Sequence, residues 1–224
     1  MIMTILATLS VVLLMLVDEA SAQSTYSVSV SQHASLQPRL NEMQVRDILK
    51  DASRTLQKNS VSNGDADRAC NVTFTLKGPV RTFGSVDTPP IILDKQQRDA
   101  VHRVDSDVAG VDFHVKIVKE IRFCRPGSGS FNGCAFPTKF RSIIVIPPRD
   151  AFPSDILWAH EFGHLTGLPH RNSSCALMTC FSVAALKPDT RVRVNRKECG
   201  CLLGGPGSCG RPRRVHCVPE ASCE

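Results

Sequence analysis

The sequence predicts an α+β fold, in which strands and two main helices share one domain and a Cys-rich tail follows. Three observations predict this fold. The chain has 224 residues, 42% of them hydrophobic, which suits a single globular domain with its own core. Segments in which apolar residues alternate with period two are interspersed with segments of helical period. Half of the ten cysteines lie beyond residue 198, in a stretch with few large apolar residues.

The N-terminus predicts a secretory signal peptide over residues 1–22. An apolar run over 5–17 is followed by Ala20-Ser21-Ala22, small residues that signal peptidase accepts, so we expect cleavage after Ala22. The run is shorter than the roughly 20 apolar residues that span a bilayer. We therefore expect a secreted, extracellular monomer that does not span a membrane. Its main domain would cover residues 23–196 and its tail residues 197–224.

The first half of the main domain is predicted to form a strand, a helix and a second strand. Residues 26–31 alternate as a strand does, and residues 71–76 do so again. Between them, Asn41 can cap a helix, with Gln44 three residues later. The apolar side chains of this helix share one face, which we expect to lie along a sheet. They are Val45, Ile48, Leu49, Ala52 and Leu56.

The second half is predicted to contain an irregular stretch and two further strands before a last helix. Residues 80–98 have no clear period and are predicted to be irregular, and 111–123 alternate as one long strand. Residues 131–137 are predicted to form a turn-rich insertion. A strongly apolar strand follows over 140–146.

The cysteines indicate an oxidising compartment. Ten of them, an even number, would pair there, whereas a cytosolic chain rarely carries so many. We expect up to five disulfides. A bond between Cys124 and Cys134 is sterically plausible, because it would close the insertion. The pairing of the others cannot be deduced from the sequence.

Residues 154–170 carry the pattern that indicates chemistry. His160 and His164 are four residues apart, so on a helix they lie about 40° apart around the axis and one turn along it. Two imidazoles can therefore reach one metal ion. Glu161 is offset around the same helix, where its carboxylate can act on water rather than bind the metal.

Gly167 is predicted to end this helix and to turn the chain back towards the metal. Glycine takes the left-handed conformation that a helix end commonly needs, and Pro169 discourages continuation of the helix. The turn would bring His170 to the metal as a third ligand. Five fixed positions of this kind arise by chance on the order of once in 10⁵ such chains.

The pattern H-E-x-x-H-x-x-G-x-x-H resembles the signature of the metzincins, a superfamily of zinc peptidases. Met178, in Ala176-Leu177-Met178, is similar to the methionine of the Met-turn beneath their metal site. The resemblance implies a mixed, mostly parallel sheet and two main helices. It also implies a substrate cleft beside an edge strand that lies between Val111 and Ile146, to which a peptide would add as a further strand.

The same resemblance implies that the chain is a secreted, zinc-dependent endopeptidase. Zn²⁺ would be held by His160, His164 and His170, with Glu161 as the general base and Met178 packing beneath the ligands. The expected partner is a protein or peptide substrate.

The sequence does not determine which metzincin family is nearest. Ala-Leu-Met most resembles the matrixins. Arg171 follows the third histidine, where better-known families show Glu, Asp, Ser or Pro, and Cys180 stands where astacin-like and serralysin-like enzymes have tyrosine. The single tyrosine, Tyr26, is far away in the sequence. A tyrosine contribution to transition-state binding is therefore not expected.

Two other functions stay open. In the first, the chain is a secreted binding module on a metzincin-like scaffold, with proteolysis absent or secondary. Glu161 argues against this, because neither zinc binding nor folding alone requires it. In the second, a zinc hydrolase with a closed cleft acts on another amide or an ester.

The remaining residues of interest receive structural interpretations. Trp158 is predicted to lie in the core. The net charge of +6 and the basic stretch over 187–214 could favour an anionic surface or matrix, although a solvated face is the commoner explanation. No nucleic-acid-binding motif is present. Structural roles are predicted for the other histidines, which are His33, His102, His114 and His216.

Overall fold

The computed structural model describes residues 23–57, 70–125, 129–135, 140–148, 154–171, 176–179 and 194–210. The predicted signal peptide over 1–22 and the end of the tail over 211–224 lie outside the described residues. The elements of the described chain, in order, are β1 (Ser24–His33), α1 (Glu42–Gln57), β2 (Val72–Leu76), β3 (Arg81–Phe83), β4 (Ile91–Ile92), α2 (Lys95–Arg103), β5 (Phe113–Ile117), β6 (Glu120–Ile121), β7 (Gly133–Ala135), β8 (Ser142–Val145), α3 (Ser154–Thr166) and α4 (Arg196–Gly204).

Six strands form one mixed, mostly parallel sheet, which confirms the predicted α+β fold class with its two main helices. The strand order is β2-β1-β5-β8-β7, and β3 also pairs with β1. Every pairing in this sheet is parallel except that of β7 with β8. Because β7 is the last strand in this order, an antiparallel strand forms one edge of the sheet.

The first helix has the cap and the buried face that the sequence predicts. The Asn41 side chain accepts the Gln44 N–H, and the Gln44 side chain accepts the Asn41 N–H, both at 2.9 Å. The apolar face of α1 packs in the main core, which lies between the sheet and the two long helices. The α1 residues buried there are Val45, Leu49, Ala52 and Leu56.

Nearly every residue of α3 is buried, so this helix lies inside the domain rather than on its surface. Its Phe162 ring is 5.0 Å from the ring of Tyr26, 4.9 Å from that of Phe74 and 5.0 Å from that of Phe113. Such aromatic pairs add to the stability gained from area burial alone. Trp158 is buried in the same core, as predicted.

The opposite face of the sheet is covered by α2 and carries a smaller apolar core together with several buried polar side chains. Strand alternation directs the polar side chains to this face. His114 Nδ1 is 2.5 Å from Ser29 Oγ, and His102 Nδ1 is 2.6 Å from Ser142 Oγ. We call these side chains, together with the partly exposed Asp105 that accepts a hydrogen bond from the Ser31 hydroxyl, the polar layer; it consists of Ser29, Ser31, His102, Asp105, His114, Lys116 and Ser142.

Three local predictions are wrong. The stretch 80–98, predicted to be irregular, contains β3, β4 and the start of α2, which is capped by Asp94. The predicted long strand over 111–123 is divided into β5 and β6, because the chain leaves the main sheet after β5 and pairs with β4 instead. The insertion 131–137 contains β7. In each case short pairings with distant segments decide the structure, and no local pattern specifies them.

The described part of the predicted tail packs with the main domain. Cys199, Cys201 and Leu202 of α4 are buried in the main core. Cys199 is bonded to Cys70, and Cys201 is bonded to Cys209. The rest of the predicted tail, residues 211–224, lies outside the described residues, so its formation of a separate appendage stays a prediction.

The described disulfides and helices bear on where the chain resides. The predicted Cys124–Cys134 disulfide is present. Three disulfides within the described ranges agree with an oxidising environment. Across the same ranges, no helix combines the length and the apolarity needed to cross a bilayer.

Candidate metal centre

The structure brings the three predicted metal ligands together. His160 and His164 lie on consecutive turns of α3, and His170 follows the end of the helix. One ring nitrogen of each histidine lies within 4.8 Å of those of the other two. Nε2 of His164 is 2.9 Å from Nε2 of His170. Among the described residues, this is the one group of three such side chains with converging ligand atoms.

Backbone carbonyls fix the orientation of His160 and His164, the two candidate ligands on the helix. His160 Nδ1 lies 2.6 Å from Leu177 O, and His164 Nδ1 lies 2.9 Å from Leu168 O. A carbonyl oxygen can only accept, so in both rings Nδ1 carries the hydrogen and Nε2 keeps its lone pair. Hydrogen bonds of this kind, on the far side of the ring, hold metal-binding histidines in position.

The environment keeps the three imidazoles uncharged. Burial lowers the pKa of His160 and of His170 to about 4. Burial also lowers the pKa of His164 well below its ordinary value. A histidine must be neutral to bind a metal, and three neutral imidazoles form a donor set that suits zinc. The residues present therefore fit a zinc ion.

Gly167 ends α3 as predicted. Its φ of 101° lies in the region that favours glycine. The Leu168 N–H donates to Gly163 O and the Gly167 N–H donates to His164 O, both at 3.0 Å. These two bonds are those of a Schellman motif, and they turn the chain immediately before His170.

Glu161 lies beside the edge strand. The residue is 5% exposed, and Oε2 has no hydrogen-bond partner within the described chain. A Cβ added at Gly133 of β7 would overlap with Glu161 Oε1 and lie 2.5 Å from its Cδ. The absence of a side chain at Gly133 therefore makes room for this carboxylate. Burial raises the pKa of Glu161 to about 8, a shift that a nearby divalent cation would oppose.

Met178 packs against α3 between the two helical ligands. It is completely buried. A Cβ added at Gly163 would overlap with Met178 Sδ and lie 3.1 Å from its Cε. The Met178 carbonyl accepts the Arg171 N–H at 2.5 Å, and Arg171 pairs with Thr179 in a parallel bridge. The turn that carries Met178 is thus joined to the residue that follows His170.

Two glycines and two carbonyls of this site were missed by the sequence analysis. A glycine inside a helix costs about 1 kcal/mol relative to alanine, so Gly163 could have signalled close packing. Gly133 could have been noted as a strand glycine that allows close approach. Leu168 and Leu177 contribute only carbonyl oxygens, which no residue type reveals.

Other residues considered in the sequence lie away from the histidine group. The Tyr26 hydroxyl shares its one hydrogen between the carbonyls of Leu202 and Leu203 in α4, which lie 2.8 and 2.7 Å from its oxygen. His33 lies on β1, and the two histidines of the polar layer lie on α2 and β5. Residue 216 and six of the eight Lys and Arg residues in the basic stretch 187–214 lie outside the described residues.

Comparisons with known proteins bear on the fold alone. No known family model matches the chain, and no curated protein matches its sequence. A chain from the structure of a chaperone–substrate complex is 15% identical, with a TM-score of 0.50 over 82% of this chain and 34% of that chain. Metalloproteinase-II from Bacteroides fragilis is 17% identical, with a TM-score of 0.48 over 83% of this chain and 54% of that chain. The chain thus spans about a third and about half of the length of these two.

Proposed function

We propose that the protein is a secreted, zinc-dependent endopeptidase of the metzincin type. His160, His164 and His170 would hold the zinc ion, and Glu161 would be the general base. The convergence of the three ring nitrogens within 4.8 Å of one another carries this proposal. The neutral state of the imidazoles and the hydrogen bonds to Nδ1 of the two helical ligands support it.

When bound by the three histidines, zinc would supply the Lewis-acid chemistry of the reaction. The chain's own residues handle the protons. Glu161 accepts a proton from the attacking water and delivers it to the amine of the leaving product. Because water attacks the peptide carbonyl directly, no acyl-enzyme forms. Met178 packs beneath the ligands without binding the metal.

The substrate peptide would add to the sheet beside β7. Among the described strands, none pairs with the outer side of this edge strand, and main-chain hydrogen bonds along that side would align the scissile bond. The close contact between Gly133 and Glu161 supports this arrangement, because a peptide beside β7 would run next to the general base. Secretion through the signal peptide over 1–22 agrees with the disulfides. Contact with an anionic surface through the stretch 187–214 remains part of the proposal.

The test compares four samples of the chain 23–224 on a quenched fluorescent peptide library and on casein. They are the wild type, Glu161→Gln, chelator-treated wild type and Glu42→Gln, a matched control on the exposed surface of α1. Bound metal is measured in each. We expect the wild type and Glu42→Gln to cleave, Glu161→Gln to bind zinc equally without cleaving, and zinc to restore the chelated sample.

The contrary outcomes separate the alternatives. A folded, zinc-loaded wild type that cleaves no peptide but hydrolyses small amides or esters would point to another class of hydrolase. If it hydrolyses nothing, the binding-module function replaces the peptidase. A wild type that binds no zinc refutes the metal centre itself.

A further inference from the structure

The C-terminal end of α3 is completed by a segment that comes from the predicted tail. A helix leaves its last four carbonyls without partners inside the helix, and in α3 these belong to residues 163–166. The Schellman motif provides hydrogen-bond donors for the first two of these carbonyls, those of Gly163 and His164. Leu165 O accepts the Gly207 N–H at 2.9 Å, and Thr166 O accepts the Cys209 N–H at 2.8 Å. Residues 205–210, which we call the capping loop, therefore provide the rest of the helix cap.

The capping loop also touches the turn between the second and third metal ligands. A Cβ added at Gly167 would overlap with Gly210 O and lie 3.0 Å from the carbonyl carbon of Cys209. Glycine is thus required at position 167 both for its positive φ and for this close approach. The loop is tied to α4 by the Cys201–Cys209 disulfide and by the Ser208 hydroxyl, which donates to Cys201 O at 2.6 Å.

A second contact reaches the residue that follows the third ligand. Arg171 Nη1 lies 3.6 Å from Glu198 Oε2 in α4. The Glu198 side chain is 7% exposed and that of Arg171 is 26% exposed. Water therefore weakens this ion pair much less than it weakens a pair on the surface. Glu198 is itself held by the capping box of α4, in which it accepts the Asn195 N–H at 2.9 Å.

We propose that residues 195–210 are a positioning element for the metal centre. The capping loop fixes the turn at Gly167, and Glu198 fixes Arg171, so the chain on both sides of His170 is held from the same segment. Holding a ligand in its bound position before the metal arrives lowers the cost of ordering it. This inference rests on the proposed function. It gives residues 195–210 a role in supporting the metal ligands rather than in recognising a partner.

The first test measures zinc affinity of Glu198→Gln by competition with a chromophoric chelator. Glutamine can still accept the Asn195 N–H, so the cap of α4 survives while the charge opposite Arg171 is lost. Changes behind metal ligands cost ten- to hundredfold in affinity, and this contact is one step further away. We expect zinc affinity to fall about tenfold, whereas Glu42→Gln matches the wild type.

A second test uses the wild type alone and stays valid if the variant does not fold. By linkage, a loop that strengthens zinc binding is stabilised by zinc to the same extent. Hydrogen exchange of the Gly207 and Cys209 amides should slow about tenfold when zinc is added. The control amide is Lys77 N–H, which donates to Val28 O near the opposite edge of the sheet. It should slow less.

The outcomes distinguish this proposal from the proposed function. If Glu198→Gln folds and binds zinc as the wild type does, the ion pair has no positioning role. If zinc slows hydrogen exchange of the capping-loop amides no more than that of the Lys77 amide, the loop has no positioning role. Either result leaves the zinc peptidase intact. A wild type that binds no zinc overturns both proposals together.

Discussion

The metal centre and the polar layer both contain buried histidines, yet they are built differently. Burial lowers the pKa of His102 to about 3 and that of His114 to about 4, as low as those of the metal-centre histidines. In the polar layer, each Nδ1 lies beside a serine hydroxyl, which can donate or accept, and the two rings come from different elements. In the metal centre, carbonyls fix the tautomer of the helical ligands and the lone pairs converge. Convergence, rather than burial, is therefore what distinguishes the candidate metal centre from the polar layer.

The largest expected difference is between a variant that lacks a histidine of the candidate metal centre and a variant that lacks a histidine of the polar layer. His164→Ala should weaken zinc binding by much more than the ten- to hundredfold that changes behind the ligands cost, because a donor is lost. His114→Asn should leave zinc affinity unchanged. Chelator competition measures both variants. If both variants lost zinc affinity equally, the contrast drawn between the metal centre and the polar layer would be wrong.

The next effect concerns Glu161, the proposed general base. Gly133→Ala should displace the Glu161 carboxylate, and a misplacement of about 1 Å can cost about 10²-fold in rate. Zinc affinity should not change, because no ligand moves. Gly129→Ala, whose added Cβ would make only an ordinary contact with Phe131 at 3.7 Å, is the control. The prediction fails if both variants cleave peptides at the wild-type rate.

A third prediction concerns the polar layer. Lys116 is fully buried, and its ammonium group lies 4.0 Å from Asp105 Oδ2. Burial lowers the pKa of Lys116 from 10.5 to about 8, and Asp105 only partly opposes this. Between about pH 8 and 10.5 the unfolded chain then binds more protons than the folded one, so the free energy of unfolding rises with pH.

The size of this rise should be about 3 kcal/mol, at about 1.36 kcal/mol for each pH unit between the two pKa values. The destabilisation is fully present below about pH 8 and is lost as the pH rises. Lys116→Met should be as stable as the wild type or more so at pH 7 and should lack this rise. Denaturant titrations from pH 7 to 10.5 compare the two. Parallel curves would show that Lys116 does not titrate in this window.

The smallest effect tests the packing beneath the metal centre. Gly163→Ala would push a methyl group into Met178, and overpacking of a core costs about 1 to 3 kcal/mol. The better helix propensity of alanine offsets up to about 1 kcal/mol of that loss. Gly200→Ala in α4 adds a Cβ in open space and should instead stabilise the protein. The midpoints of urea denaturation measure the stability of both variants. A Gly163→Ala variant more stable than the wild type would show that Met178 can move aside.

The sequence predicted local features of the fold well where their causes are local. The mutual cap of Asn41 and Gln44 and the buried face of α1 follow from spacing along one helix, and both are present. Helix α2 was missed because its sequence is mostly polar, and its place depends on a sheet face formed by other strands. Strand β7 was missed because three residues carry no recognisable period, and their pairing with β8 is set by the fold.

For the candidate site, the sequence by itself determined the donor set. A helical repeat of 3.6 residues aligns His160 with His164 and sets Glu161 aside from them, and glycine permits the turn at residue 167. Only the tertiary structure decided what surrounds these residues: Gly133 beside Glu161, the carbonyls behind His160 and His164, and the capping loop at the end of α3. Leu165 and Gly207 are far apart in the chain and meet through backbone groups that every residue shares. A sequence encodes such contacts only through the whole fold.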